Sequence, residues 1–219
     1  MRESPYTFSA EPSGTHAIIL SEVPPQSKVL DVGCAGGYLG EFLSTYKGCE
    51  VWGIEPREQR ANTSLQIYKQ VINAPIEKAL NEGVLEEASF DVIILGDVLE
   101  HLPAPEEVLQ KLKKYLQPRG RMVISLPNVA HYSVRCSLLF GKWDMADSGI
   151  LDRTHLHFYT FKSAQQLITA QGLHIERYRP RGDLERWFRK IGLEAVGKKI
   201  LYFFPGLFAF QFIFVAENS

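Results

Sequence analysis

The sequence has few cysteines and almost no net charge. Cys34, Cys49 and Cys136 are an odd number and lack the paired spacing of a metal site or a disulfide framework. We therefore expect a reducing, cytoplasmic setting and no metal ion. A formal net charge of −1 argues against general affinity for nucleic acid.

The sequence also lacks an apolar run long enough to cross a membrane. The strongest candidate, residues 200–216, is interrupted by Pro205 and Gly206 and is shorter than the roughly 20 residues of a spanning helix. The apolar run near the N-terminus is too short for the core of a signal peptide. We expect no transmembrane segment and a single domain over residues 1–219, with a core at 28–179 and a basic helix and last strand at 180–219.

Short apolar runs alternate with segments of helical periodicity along the chain. This rhythm predicts an α/β fold whose parallel sheet is built from right-handed crossovers. The predicted strands are residues 28–32, 50–54, 68–72, 90–95, 121–126, 173–178 and 208–215. The predicted helices are residues 15–20, 38–46, 58–67 and 105–120, one after Pro127, one from Ser163 to Gln171 that opens with a capping box to Gln166, and a basic one before the last strand.

One glycine-rich turn separates the first strand from its helix, in residues 29–40, VLDVGCAGGYLG. A turn with so few side chains allows the backbone to lie directly against a small ligand. A dinucleotide motif would place glycines at positions 33, 35 and 38, whereas this chain has Ala35 and Tyr38. The turn therefore favours another adenosine-containing cofactor over NAD.

Acidic residues at the ends of three strands indicate the charge of that cofactor. Asp31 and Asp97 would face one crevice, where a pyrophosphate would be repelled by about 4 kcal/mol per pair of like charges ~4 Å apart at an effective dielectric near 20. A sulfonium cofactor with an ammonium group would be attracted. Glu55 could accept two hydrogen bonds from a ribose. The alternative is that these acids only cap loops and helix starts.

Three linked motifs, VLDVGCAGG, VWGIEP and FDVIILGDVLEHL, resemble the successive motifs of class I S-adenosylmethionine-dependent methyltransferases. The similarity continues through RMVISLPNVAHYSV and GILDRTHLHFYTF, which resemble a bacterial subgroup associated with surface-polysaccharide and secondary biosynthesis. It covers roughly residues 28–178. The resemblance implies a doubly wound, seven-stranded, mostly parallel sheet whose antiparallel last strand forms a hairpin with the sixth.

The resemblance also implies which residues bind S-adenosylmethionine and its product S-adenosylhomocysteine. Asp31, Gly33 and Gly37 would hold the methionine part, Glu55 the ribose, and Asp97 the region near the sulfur. The family usually has an acid near the adenine amino group, where this chain has Asn73, so adenine recognition would fall to Asn73, Ile76 or backbone atoms. The full predicted set is Asp31, Gly33, Cys34, Ala35, Gly37, Glu55, Pro56, Asn73 and Asp97.

Histidines that follow the fourth and fifth strands are the candidates for chemistry at the acceptor. Methyl transfer to a hydroxyl requires removal of its proton, and histidine is the natural base near neutral pH. The predicted catalytic residues are His155, His101 and His131. The competing interpretations are that His155 lies in a salt-bridged structural loop and that His101 fixes the start of the next helix.

The loop LDRTHLHFYT also supplies candidates for acceptor binding. If it is extended, Arg153, His155 and His157 point to one side, and Asp152, Thr154 and Leu156 point to the other. The predicted substrate-binding residues are Asn128, Arg153 and His157.

These features together favour O-methylation of a small-molecule or glycan-type acceptor. N-methylation of a small amine, a non-catalytic S-adenosylmethionine-binding subunit and an oxidoreductase remain alternatives. Nucleic acid is not the expected acceptor, because the fourth strand ends in GDVLEH rather than the Asn/Asp-Pro-Pro-aromatic box of DNA amino-methylating enzymes. The basic segment at residues 177–192 allows peripheral membrane contact, or is a solvated helix face over Trp187 and Phe188.

Overall fold

The computed structural model describes residues 14–218, so predictions for the first 13 residues lie outside the described chain. Its seven strands form one sheet in the order β3-β2-β1-β4-β5-β7-β6. Strand β7 is antiparallel to both neighbours, whereas the other pairs are parallel. The predicted fold class is therefore confirmed. The strands are β1 Lys28–Val32, β2 Glu50–Ile54, β3 Gln70–Ile72, β4 Phe90–Gly96, β5 Leu116–Pro127, β6 Leu173–Arg181 and β7 Gln211–Asn218.

Helices cover both faces of this sheet. Successive residues of the central strands alternate between two buried clusters, one holding Leu30 and Ile93 and the other holding Val29 and Val92. A parallel sheet covered on both faces reads as continuous apolar runs, as the sequence does here. The helices are α1 Thr15–Glu22, α2 Tyr38–Lys47, α3 Glu58–Ser64, α4 Ile76–Asn81, α5 Pro105–Leu112, α6 Tyr132–Leu139, α7 Phe161–Ala170, α8 Leu184–Arg189, α9 Glu194–Phe203 and α10 Pro205–Phe208.

Two predicted element boundaries, at Gly120 and at Tyr68, differ from the structure because each residue packs in or against the sheet. Gly120 does not end the helix that starts at Pro105; it lies in β5, where a Cβ would come within 2.9 Å of the Gln117 carbonyl oxygen. That close approach, not a helix cap, requires the glycine. Tyr68 is not the first residue of β3; it precedes the strand and its ring packs over Gly40 and Gly53.

Two helix starts were also missed or misplaced. Helix α7 begins at Phe161, with Thr160 as N-cap and Ser163 as its capping-box partner, so the predicted box between Ser163 and Gln166 is wrong by three residues. Helix α4 was not predicted. It is only six residues long, which is too short for a helical repeat to show in the sequence.

The apolar C-terminal stretch completes the sheet. Its last part forms β7, whose buried Phe212, Ile213 and Phe214 lie between β5 and β6. Across residues 14–218, none of the helices combines the length and the apolar character needed to cross a bilayer.

Candidate functional site

The glycine turn between β1 and α2 exposes backbone at the carboxyl ends of the parallel strands. The amide groups of Gly33 and Cys34 donate to the Ile54 carbonyl oxygen at 2.8 and 3.2 Å, which ties the turn to β2. Gly33, Ala35 and Gly37 have φ values of +75°, +47° and +84°. A left-handed alanine is strained, and such strain is concentrated at ligand sites. The turn therefore forms a cradle of backbone atoms held against the end of β2.

Glu55 lies beside this turn, at the end of β2. It is buried, and its two carboxylate oxygens accept hydrogen bonds from the amides of Ala35 and Arg57, each at 3.0 Å. Each oxygen keeps a further lone pair for a ligand hydroxyl. The exposed Asn73 donates from Nδ2 to the Glu55 carbonyl oxygen at 2.9 Å. The structure therefore brings Glu55, Asn73 and the glycine turn together, with the exposed Pro56 following Glu55.

Asp31 lies beneath the turn and has a partner that the sequence did not indicate. Its carboxylate accepts a hydrogen bond from the Tyr68 hydroxyl at 2.6 Å, and Gly40 donates its amide to the same hydroxyl at 3.1 Å. Burial raises the pKa of Asp31 to about 7, the Tyr68 bond opposes the rise, and the Glu55 charge adds to it. Burial also raises the pKa of the neighbouring Cys34 thiol, so Cys34 packs as an uncharged side chain.

Asp97 follows β4 in a left-handed conformation, with φ of +55°. Ser125 donates its hydroxyl to Asp97 Oδ1 at 2.7 Å, and Gln211 donates its side-chain amide to the same oxygen. Thr15 donates in turn to Gln211, so the start of α1 closes this end of the crevice. Thr15, Ser125 and Gln211 were missed because only the sheet order brings them together.

His101 and His155 form a pair beside Asp97, with ring centroids 4.8 Å apart. Burial lowers the pKa of His155 below 6.5, the nearby His101 adds to that effect, and Asp152 and Asp97 oppose it. This environment therefore favours the neutral imidazole of His155. The loop 150–157 brings these two predicted catalytic residues together. Its position is fixed because Leu156 and His157 donate their amides to the Glu100 carbonyl oxygen, next to His101.

Glu100 is a third member of this group and was not among the predicted site residues. Its side chain is fully buried, and neither carboxylate oxygen has a hydrogen-bond partner among the described residues. Burial raises its pKa far above the ordinary value, and the Asp97 charge adds to the shift. The available signal was the Glu-His pair of DVLEHL, of which only the histidine was a predicted site residue.

The remaining histidine candidate, His131, belongs to a different cluster. It is the N-cap of α6, where its Nδ1 contacts the Ser133 hydroxyl at 2.7 Å. Its ring lies beside Tyr132 and Phe210, with centroids 4.4 and 5.9 Å away. Burial lowers its pKa. This geometry favours a capping role over a catalytic one.

The loop 150–157 is not extended, so the predicted alternation is wrong. Arg153 points to solvent and pairs with Asp147 at 2.9 Å, whereas Asp152 is buried and accepts from the Thr154 hydroxyl at 2.7 Å. His157 is half-buried and its ring stacks on that of Tyr159. A turn at residues 151–154 replaces the alternating pattern of a strand.

The side-chain amide of Asn128 is hydrogen-bonded to the protein backbone. It is fully buried, its Nδ2 donates to the carbonyl oxygens of Ala209 and Gly206 at 2.6 and 3.2 Å, and its Oδ1 accepts from Ala130 at 3.0 Å. The prediction that Asn128 binds the substrate is therefore corrected to a role in joining β5 to the segment before β7.

Comparison with known proteins decides the family. A family model described as "Methyltransferase domain" matches residues 15–198. The chain belongs to this family. The methyltransferase class and S-adenosylmethionine as its cofactor are thereby established, in agreement with the resemblance of the three motifs. The surface-polysaccharide subgroup is not part of this assignment.

Curated methyltransferases and solved structures show the same relationship. The ubiquinone biosynthesis O-methyltransferase of Idiomarina loihiensis is 35% identical over 109 residues, 46% of this chain and 42% of that protein. The human mitochondrial ubiquinone biosynthesis O-methyltransferase is 30% identical over 158 residues, 68% of this chain and 42% of that protein. The chain thus covers less than half the length of these relatives. A SAM-dependent methyltransferase from Archaeoglobus fulgidus shares the fold, with a TM-score of 0.61, 16% identity, and coverage of 94% of this chain and 95% of that one.

Proposed function

We propose that this methyltransferase transfers a methyl group from S-adenosylmethionine to a hydroxyl oxygen of a small-molecule acceptor. The observation that carries the proposal is the His101–His155 pair next to Asp97, at the crevice where the glycine turn and Glu55 also lie. A cofactor site and groups able to accept a proton thus share one end of the sheet, as in other open α/β folds.

The cofactor is proposed to lie along the carboxyl ends of β1, β2 and β4. Its methionine part would rest on the backbone of Gly33 to Gly37, and its ribose hydroxyls would donate to the remaining lone pairs of Glu55. Asn73, which is exposed beside Glu55, is the candidate for adenine contact. The Asp97 carboxylate then lies toward the cationic sulfur, where its charge is favourable.

The chemistry needs positioning and the removal of one proton. The acceptor oxygen attacks the methyl carbon, the carbon–sulfur bond breaks, and its electron pair stays on sulfur as S-adenosylhomocysteine leaves. The hydroxyl proton passes to a neutral imidazole, for which His155 is the candidate because its pKa is lowered by burial.

The type of acceptor is inferred from the relatives. Both relatives described above are named ubiquinone biosynthesis O-methyltransferases, which supports oxygen over nitrogen and a small molecule over a polymer. Because the chain covers only 42% of each, the acceptor is a proposal. A glycan-type acceptor, a role in polysaccharide biosynthesis and a cytoplasmic location stay predictions. We also propose one domain, since β7 lies between β5 and β6 and joins the C-terminal segment to the sheet.

Mass spectrometry of products from an acceptor panel tests this function. The panel contains phenols, sugars and small amines, each incubated with the full chain and S-adenosylmethionine. We expect a mass gain of one methyl group on a hydroxyl, with His155→Ala lowering turnover about 100-fold while S-adenosylmethionine affinity changes little. His174→Ala, which alters an exposed histidine in β6, is the control. Methylation of amines alone, or of nothing in the panel, would contradict the proposal.

A further inference from the structure

The buried carboxylate of Glu100 is the least satisfied polar group in the described part of the chain. Both oxygens lack a hydrogen-bond partner there, and the only other buried side-chain atom in that condition within residues 14–218 is the Tyr159 hydroxyl. Buried polar groups in native proteins almost always have partners, so an exception requires an explanation. A bound cation would explain the two unpartnered oxygens, because a carboxylate can contact a cation with both of them.

The two histidines beside Glu100 are oriented to offer lone pairs. Nδ1 of His155 lies 3.2 Å from the Ile150 carbonyl oxygen, and Nδ1 of His101 lies 3.2 Å from both the carbonyl oxygen and the hydroxyl of Thr154. The Thr154 hydroxyl donates its own hydrogen to Asp152, so it too can only accept from His101. A carbonyl can only accept, so each Nδ1 carries the hydrogen and each Nε2 of a neutral ring keeps its lone pair. Proteins orient metal-binding histidines by this kind of backbone contact.

We infer that Glu100, His101 and His155 bind a divalent transition-metal ion. One ligand atom from each residue lies within 4.8 Å of the others. Metal–ligand bonds of ~2.1 Å place ligand atoms about 3.0–3.5 Å apart, so a small closing movement of the side chains completes the set. Two imidazoles and one carboxylate favour Zn²⁺, Fe²⁺, Co²⁺ or Ni²⁺ over Mg²⁺ or Ca²⁺. This site differs from the sequence-based expectation of no metal ion, which rested on the absence of paired cysteine spacing.

The role of this ion rests on the proposed function. Three protein ligands leave coordination positions for the acceptor hydroxyl, whose acidity a bound cation increases. The hydroxyl proton passes to water, the oxygen attacks the methyl carbon, and the electron pair of the broken carbon–sulfur bond stays on sulfur. In the metal-bound enzyme this route would replace the proton transfer to His155 proposed above, since His155 would then be a ligand. His155→Ala would still lower turnover, because a ligand of the ion is lost.

Titration with Co²⁺ tests the site independently of any turnover. The full chain is stripped with a chelator, and Co²⁺ is added while its visible absorption is followed. We expect one equivalent to bind and to be displaced by Zn²⁺, whereas a large excess of Mg²⁺ leaves the spectrum unchanged. Glu100→Gln and His155→Gln should each weaken Co²⁺ binding at least 100-fold. His174→Gln, an exposed histidine outside the site, should bind like wild type.

Two comparisons make the result decisive. Thermal unfolding shows whether the Glu100→Gln and His155→Gln variants are folded. One folded variant of the two is enough to test the site. Wild-type binding weaker than millimolar, or wild-type affinity retained in the folded Glu100→Gln or His155→Gln variant, would overturn the metal site.

Binding of S-adenosylmethionine to the metal-free protein is measured separately. Loss of that binding would overturn the proposed function but not the Co²⁺ result. Removal of the metal ion is expected to reduce turnover at least tenfold with an unchanged dissociation constant for S-adenosylmethionine, and unchanged turnover would contradict the proposed role of the ion.

Discussion

At the scale of single residues, Glu55 has two tasks. Its carboxylate holds the glycine turn through Ala35 and still has lone pairs for a ligand. A charge-assisted bond of this kind is stronger than a neutral one, so removing it affects ligand affinity more than most surface changes do.

We predict that Glu55→Ala weakens S-adenosylmethionine binding more than tenfold, because charge-assisted bonds to the ribose are lost. Calorimetry of the variant provides the dissociation constant, and Glu55→Gln provides a variant of nearly the same shape. Glu58→Ala, an exposed carboxylate three residues further along the chain, is the matched control. An unchanged dissociation constant in both Glu55 variants would show that Glu55 serves only the turn.

Asp31 provides a pH-dependent prediction at the same scale. Its pKa is raised from 3.8 to about 7 by burial, so the cofactor-free folded state binds more protons than the unfolded state across this interval. Stability from this group is complete below pH 3.8 and declines as the pH rises toward 7. Asp31→Asn keeps an acceptor for Tyr68 and removes the charge.

We therefore predict that Asp31→Asn gains stability relative to wild type as the pH rises. The difference in free energy of unfolding should be small at pH 4 and reach on the order of 3 kcal/mol at pH 8 in the absence of cofactor. Urea unfolding at several pH values measures it. Parallel pH profiles for the two proteins would refute the buried-charge explanation.

At the scale of elements, α1 is joined to β6 by an ion-pair cluster around the buried Glu22. Glu22, at the end of α1, accepts hydrogen bonds from Arg177 at 2.7 Å and Arg179 at 3.0 Å. Burial alone would raise the pKa of Glu22, but the two arginines lower it below 4.5. Both arginines belong to the basic segment at residues 177–192, and the structure places them in β6 rather than on a solvated helix face.

We predict that Glu22→Gln destabilises the protein by about 2 kcal/mol at pH 7, because its three hydrogen bonds from Arg177 and Arg179 lose the carboxylate charge. A lowered carboxyl pKa contributes stability above pH 4.5 that disappears as the pH falls through the folded-state value, so the difference should vanish in acid. Glu176→Gln, an exposed partner of the same Arg177, should change stability by less than about 1 kcal/mol. Equal effects of the two variants at pH 7 would contradict the assignment.

The same scale shows which helices, strands and turns could be predicted from the sequence. Buried strands such as β1 and β4 were predicted closely because both faces are covered, which leaves an unbroken apolar run. Helix α4 and the turn at residues 151–154 were missed, since neither spans enough residues to show a period. The positions of Glu55 and Asp97 follow from strand ends, whereas the partners Tyr68 and Gln211 depend on tertiary packing that no local pattern records.

At the scale of the whole molecule, apolar and basic side chains share the C-terminal helices. Trp187, Phe203 and Phe204 are 71%, 78% and 60% exposed, and Lys198 and Lys199 are exposed in α9. Exposed aromatic residues next to lysines suit an anionic bilayer surface. These are the side chains that the predicted peripheral membrane contact would use.

We predict salt-sensitive binding to vesicles that contain anionic lipid. Co-sedimentation should be strong at low salt and lost at high salt, because exposed charges are screened. The double variant Phe203→Ser, Phe204→Ser should lower binding several-fold. Tyr46→Ser, an equally exposed aromatic in α2, is the control. If wild type does not bind these vesicles at low salt, the side chains have another role.

The central claim is that the glycine turn and Glu55 bind the methyl donor, and calorimetric titration tests it most directly. Wild-type protein should bind S-adenosylhomocysteine with one-to-one stoichiometry. Gly33→Val should abolish the heat of binding, because a Cβ at position 33 would lie 2.9 Å from the Val98 side chain and would occupy the turn. NADH should produce no heat. The absence of heat with S-adenosylhomocysteine, or equal heat from Gly33→Val, would contradict the account.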